Sequence, residues 1–245
     1  FALPKMPKRR YDVNEELVRR QTFEREEYQQ LIYAMRSYVG KKTNLLSDEE
    51  YLERELFRHW VIFAANSGLR SGEQRQLKWE DISIEVEGGG NQREIVLAKM
   101  LIRKDTTKVR IPRTLYCRGG EYIERWKKLL QQYGKSAEGY VFSIEGENQF
   151  PKTNFHRHWK RVLRLTTIPT ERQKELVPYS LRHYMITQRV MSGCKFSDIA
   201  YMCGTSVSQI EKTYYHLNEA MMKTTALATY VKRDGKVIPI GSHIE

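Results

Sequence analysis

Arg70, Lys108, Arg182 and Tyr214 are the residues of this 245-residue chain whose types could together do chemistry on a phosphodiester. Such an ester carries a negative charge that repels nucleophiles. Attack without a metal needs fixed cations on the phosphoryl oxygens, a side-chain nucleophile and a proton donor for the leaving oxygen. Two arginines, a tyrosine and a lysine make up that set. A guanidinium offers a planar fork of donors matched to two phosphate oxygens, which an ammonium cannot reproduce. The densest part of the pattern is Tyr179-Ser180-Leu181-Arg182-His183, followed by Gly204-Thr205 and then Thr213-Tyr214-Tyr215-His216. Taken singly, each residue has an ordinary reading. Arginines near acids form ion pairs, and most tyrosines are half-buried helix aromatics. The combination carries the weight.

The bulk properties suit a polyanionic partner. The formal net charge is +12, and 40% of the residues are hydrophobic, as in a folded globule. Charge is also clustered. Residues 151–189 hold nine Lys/Arg against two Glu, and residues 91–118 hold eight basic against two acidic residues. Residues 48–55 run the other way, with five acids and one arginine. Charge alone would equally fit an ordinary solvated basic protein. Cys117, Cys194 and Cys203 show no CxxC spacing, so they read as thiols in a reducing compartment, without zinc or a disulfide framework. No apolar run reaches the length of a membrane span and no signal peptide opens the chain, so a bacterial cytoplasm is the expected location.

The elements that must position these residues are mostly helical. Residues 1–20 are basic, hold two prolines and read as a linker or arm. A helix is expected from Thr22, stopping near Gly40. A second runs over 48–66, with Leu52, Leu56, Phe57, Trp60, Phe63 and Ala64 as its buried stripe and Ser67-Gly68 as its end. A short helix over 72–77 follows at once, which places Arg70 in a sharp helix-to-helix connection. Strands are expected at 84–86, 95–102 and 109–115, with Gly88-Gly89-Gly90 as a hairpin tip and Asp105-Thr106-Thr107 as a turn. The glycine triplet lacks the spacing of a phosphate cradle. Helices follow over 123–133, 153–166, 180–192, 196–203, 206–214 and 217–230, with a short strand at Val237–Ile240. The fold class is therefore α+β, mainly α, with one small antiparallel sheet. Both Arg70 and Arg182 would stand at the start of a helix, where backbone N–H groups favour an anion.

Over residues 20–230 the chain resembles the catalytic domain of the tyrosine recombinase, or phage integrase, family. Ser67-Gly68-Leu69-Arg70-Ser71-Gly72-Glu73, followed by Leu77, Trp79, Asp81 and Ile82, is similar to that family's first arginine box. Tyr179-Ser180-Leu181-Arg182-His183 is similar to its H-x-L-R-H box, and Cys203-Gly204-Thr205 with Tyr214-Tyr215-His216 to its L-G-H…Y-x-H segment. Thr205 lies 23 residues after Arg182 and Tyr214 nine after Thr205, the offsets of the family. Two boxes in order with both offsets form a specific match.

The resemblance implies a metal- and ATP-independent site-specific recombinase or integrase, with no cofactor, serving integration or excision of a mobile element. A type IB topoisomerase or a DNA-binding relative with weakened catalysis are the alternatives. Tyr214 would attack the scissile phosphate, Arg70 and Arg182 would hold the developing charge, and a hairpin lysine would protonate the leaving oxygen. Lys108 is favoured for that lysine, because Lys108-Val-Arg-Ile-Pro-Arg113 has the expected K-x-x-x-x-R spacing; Lys104 remains the other candidate.

Two positions depart from the pattern: Tyr179 and Thr205 stand where histidines are usual. Their hydroxyls can donate to a phosphate but cannot act as imidazole bases near neutral pH. His183 is expected to pack inward and not to replace the missing base, and His216 to be structural. Lys104, Arg110, His156, Arg157 and Lys160 are expected to contact DNA, and His158 to lie near the DNA backbone or on the surface. The implied partners are double-stranded DNA, further copies of the chain as a tetramer on that DNA, and accessory DNA-bending proteins, with no membrane. The chain starts at Phe1, not methionine, so an excised fragment is expected. Residues 1–20 would then be the linker from an absent core-binding domain, 21–216 the catalytic domain and 217–245 a tail that contacts a neighbouring protomer.

Overall fold

The computed structural model describes residues 22–89, 92–107, 110–214, 229–233 and 236–240. The expected linker and most of the expected tail lie outside the described residues. Helix α1 spans Arg25–Tyr38 and α2 Asp48–Ser67. The Ser47 hydroxyl accepts from the Glu50 N–H at 3.2 Å, and Asp48, Glu49 and Glu50 fill the first turn, where the helix dipole favours acids. Gly68 ends α2 in the left-handed conformation, at φ 63°. Leu52, Leu56, Phe57, Trp60, Val61 and Phe63 are all buried on α2, so apolar contact surrounds most of its length. It is the axis of the core. Around it pack α1, α4 (Gly120–Gln132), α5 (Lys152–Arg164) and α7 (Ser180–Met191). Trp60 meets Phe155 edge-on with ring centroids 4.4 Å apart, and Phe57 and Phe63 extend the aromatic contact to Phe155 and Phe142.

A short α3 (Ser71–Arg75) leads through a 3-10 turn at Trp79–Asp81 into an antiparallel sheet, β1 (Ile82–Gly89), β2 (Gln92–Ile102) and β3 (Arg113–Arg118), in that order. Ile82 pairs with Met100, and Met100 with Leu115. Burial alternates along β3: Arg113, Leu115 and Cys117 point inward, Thr114, Tyr116 and Arg118 outward. An arginine therefore occupies an inward position of a half-buried strand. Gly88 and Gly89, both at positive φ, are the last residues of β1, with Gly89 paired to Gln92; Gly90, the third residue of the expected tip, lies outside the described residues.

Three helices complete the domain besides α7: α6 (Thr170–Glu175), α8 (Phe196–Cys203) and α9 (Val207–Tyr214). The second half of α7 packs with α8 and α9 in a separate small cluster of Met185, Ile186, Val190, Ile199, Ala200, Cys203, Ile210 and Tyr214.

The α+β, mainly α, class agrees with the expectation, with three local corrections. The third strand begins at Arg113, not at residue 109, because Pro112 has no N–H to give a ladder. Helix α6 was not expected; six residues are too few to show a helical period. The expected helix over 217–230 lies mostly outside the described residues. Its last two residues, Thr229 and Tyr230, belong instead to β4 (Thr229–Arg233), paired with β5 (Lys236–Ile240) in the register Thr229 to Ile240. Thr229, Tyr230 and Val231 are strand-forming residue types, which outweighs the helical spacing. Among the described residues no helix is long and apolar enough to cross a membrane.

Candidate active site

Arg70 follows the left-handed Gly68 by two residues and caps α3. Its backbone N–H donates to Glu73 Oε2 at 3.1 Å and its Nη1 to Glu73 Oε1 at 2.9 Å. Its Nη2 donates to the Gly204 carbonyl. Arg182 lies in the first turn of α7 and is buried, donating from Nη1 to the Gly68 carbonyl at 2.6 Å and from Nη2 to the Cys203 carbonyl at 2.8 Å. The two guanidinium groups thus dock on successive carbonyls, Cys203 and Gly204, where α8 ends. Cationic donors suit the orphan carbonyls of a helix C-terminus. A guanidinium has more N–H donors than these bonds use.

Glu73 and Arg113 underlie this arrangement. Glu73 is 2% exposed and accepts from Arg113 through both oxygens, at 3.2 and 2.9 Å. Burial by itself would raise its carboxyl pKa, but Arg113, with Arg70, more than offsets this and holds it below the ordinary value. Arg113 Nε also donates to the Met202 carbonyl at 3.2 Å. Gly204 is at φ 60°, and a Cβ there would sit 2.6 Å from Arg113 Nη1. Glycine is required on both counts. Both side chains fell within quoted motifs, but their pairing across the fold had no sequence signal.

Tyr214, the last residue of α9, is 4% exposed, and its hydroxyl lies 2.6 Å from His183 Nδ1. Burial pushes the phenol above its usual pKa, Cys203 and Tyr179 add to that, and Arg182 pulls the other way. Tyr179 is half-buried at the start of α7; its ring centroid lies 5.1 Å from that of His183 and 6.0 Å from Arg182 Cζ. Thr205 follows Gly204, and its N–H closes α8 on the Ala200 carbonyl at 2.9 Å. Arg70, Arg182, Tyr179, Thr205 and Tyr214 are thus brought together. His183 packs inward as expected, and its contact with Tyr214 is the feature sequence reasoning missed.

Lys108, Tyr215 and His216 lie outside the described residues. Lys104 is exposed on a 3-10 turn, Lys104–Thr106, and Arg110 is exposed at φ 53°. His156, Arg157 and Lys160 are exposed on α5, which packs on α1 and α2; Arg157 pairs with Glu53 at 2.9 Å. His158 corrects the expectation of a surface or DNA-facing residue. It is 1% exposed, with Nδ1 2.7 Å from the Tyr38 hydroxyl and Nε2 3.2 Å from Glu53. Its place on the apolar face of α5, beside Phe155, Trp159 and Val162, accounts for its burial. Among the described residues no group of three or more His, Cys, Asp or Glu side chains could hold a metal ion.

A sequence model described as the phage integrase family matches residues 21–221. A curated relative described as tyrosine recombinase XerC-like, from Caldanaerobacter subterraneus subsp. tengcongensis, is 23% identical over 202 residues, covering 74% of this chain and 50% of the relative. The chain therefore spans about half the length of that relative. Among solved structures, the fold is similar to that of the XerH site-specific recombinase bound to palindromic difH substrate in a post-cleavage complex. The TM-score is 0.62 at 14% identity, over 88% of this chain and 55% of that one. It is also similar to the Tn1549 transposon integrase in complex with transposon right end DNA, at TM-score 0.52 and 13% identity, over 85% of this chain and 66% of that one. At these identities the likeness concerns the fold.

Proposed function

Because the chain belongs to the phage integrase family, we propose that it is a site-specific DNA recombinase that cuts and rejoins strands through a 3′-phosphotyrosine link. One observation carries this reading: the Arg70 and Arg182 guanidiniums dock on adjacent carbonyls, and the Tyr214 hydroxyl lies 2.6 Å from His183, the residue that follows Arg182. A phosphate between the two forks would have its non-bridging oxygens held by fixed cations before charge builds on them. Tyr214 attacks phosphorus in line, the P–O5′ bond breaks, and Lys108 supplies the proton to the leaving oxygen. A 5′-hydroxyl from another strand then reverses the step. Tyr179 and Thr205 donate from their hydroxyls to the same oxygens, in place of the family's usual histidines.

Lys104, Arg110, His156, Arg157 and Lys160 are exposed and are assigned to DNA contacts, chiefly to phosphate. The complex XerH and Tn1549 integrase form with DNA supports such contacts here. Strand exchange needs two duplexes, for which four protomers and contacts through residues 217–245 are proposed, with DNA-bending accessory proteins assisting.

The test is a nicked suicide duplex carrying the target site, on which a covalent adduct accumulates because the released strand diffuses away. Wild type and Tyr215→Phe form the adduct and Tyr214→Phe does not. An adduct with Tyr214→Phe, or none with wild type on its own target, would remove this assignment.

A further inference from the structure

The Tyr214 hydroxyl faces an imidazole. His183 Nδ1 is 2.6 Å from Tyr214 Oη, and the two residues are 8% and 4% exposed. The contact joins the first turn of α7 to the last residue of α9. His183 directly follows Arg182, so one rigid turn carries both the guanidinium of the phosphate site and the imidazole at the phenol.

Attack by a phenol requires loss of its proton. With an ordinary pKa of about 10, very little phenolate exists at neutral pH. Burial lowers that fraction further at Tyr214, and Arg182 only partly opposes it. A proton acceptor at the hydroxyl would lower the barrier. Tyr179 and Thr205 are not bases in this range. Among the described residues, the charged and titratable groups acting on Tyr214 include Arg182 and Tyr179 of α7 and Cys203 of α8, with Arg70, Arg113 and Glu73 acting on Cys203. Burial pushes the Cys203 thiol up and keeps it neutral, so it does not compete for the proton.

We propose that His183 is the proton acceptor for Tyr214 and also fixes the direction of its hydroxyl. This rests on Tyr214 being the nucleophile. Neutral His183, as the Nε2–H tautomer, accepts the hydrogen bond from Oη. As Oη–P forms, the O–H bond breaks and the proton passes to Nδ1. The P–O5′ bond breaks in the same step, and its oxygen takes a proton from the general acid. The imidazolium gains its charge as negative charge builds on the phosphoryl group beside Arg182. On rejoining, the imidazolium returns the proton to Tyr214 as the Oη–P bond breaks.

The test is adduct formation in single turnover on the nicked duplex, from about pH 5.5 to about pH 9, across the imidazole range. His183→Asn keeps a polar atom near the Nδ1 position but cannot take a proton. It is expected to bind DNA and to unfold as wild type does, to react about 10²–10⁴-fold more slowly, and to lose the fall in rate that protonating the acceptor imposes on wild type as the pH is lowered. A wild-type rate in His183→Asn overturns the proposal. So does a slow rate that keeps the wild-type pH profile. Tyr214→Phe in the same assay separates the two readings, because an adduct there removes the nucleophile itself. Should His183→Asn not fold, His183→Gln takes its place with the same readout.

Discussion

Glu73 and Arg113 form a two-pronged ion pair at 2.9 and 3.2 Å, almost wholly shielded from solvent, and the same carboxylate binds the side chain and backbone of Arg70. The position of the exposed end of the site thus depends on a pair in the interior. Breaking such a pair from one side leaves a buried charge without its partner, which costs about 3–5 kcal/mol. Glu73→Gln is expected to lose stability on that order in urea unfolding at neutral pH.

The pH dependence follows from the sign of the Glu73 shift. Its folded pKa is depressed, so its contribution is present above the unfolded value of ~4.3 and is lost as pH falls through the folded value. Unfolding free energy of the wild type should decline below ~pH 4.3 more steeply than that of Glu73→Gln. Parallel profiles would show that the pair contributes nothing to acid stability.

Gly204→Ala tests the joint between the arginines. The added Cβ would meet the Arg113 guanidinium, which is pinned by Glu73 and the Met202 carbonyl, and φ 60° is strained for alanine. A loss of about 1–3 kcal/mol is expected. Cleavage should fall further than DNA binding, because the Gly204 carbonyl is where Arg70 docks. Gly72 makes the control: a Cβ there meets nothing within 4 Å and the backbone is helical, so Gly72→Ala should be neutral or stabilising by about 0.4–1 kcal/mol.

Arg70→Lys and Arg182→Lys keep the charge and remove the fork. Each should leave the affinity for target DNA within about threefold and lower the rate of adduct formation by about 10²–10³-fold. Single-turnover rates at saturating enzyme measure this directly. For Arg182 some loss of stability is also expected, since its two carbonyl partners are buried.

The lysine assignment is tested by changing the leaving group. Sulfur in place of the bridging 5′ oxygen leaves without a proton, so it relieves the need for a general acid. Lys108→Ala should be slow on ordinary DNA and recover on the sulfur-substituted strand, whereas Lys104→Ala should behave alike on both. The reverse pattern would transfer the role to Lys104, which is exposed on its 3-10 turn.

Much of this protein was readable along the chain because its determinants are local. Ser47 and the acids after it start α2, Gly68 ends it, and the two arginine boxes mark the turns that hold Arg70 and Arg182. Such signals act through hydrogen bonds and side-chain spacing within a few residues. The inward arginine of β3 broke the apolar alternation, yet nothing nearby identified Glu73, 40 residues away, as its partner. His158 showed the opposite limit, since a polar residue at an apolar helical position was read as exposed until its partners Tyr38 and Glu53 were in place. Likewise, helical spacing could not reveal that residues 229–233 form a strand, because strand pairing needs a partner. Tertiary packing alone decided that the carbonyls of Cys203 and Gly204 receive two guanidiniums and that an imidazole meets the Tyr214 hydroxyl. These contacts span 21, 134 and 31 residues, and they exist only when helices α2, α7, α8 and α9 close on one another and exclude water from the groups they join.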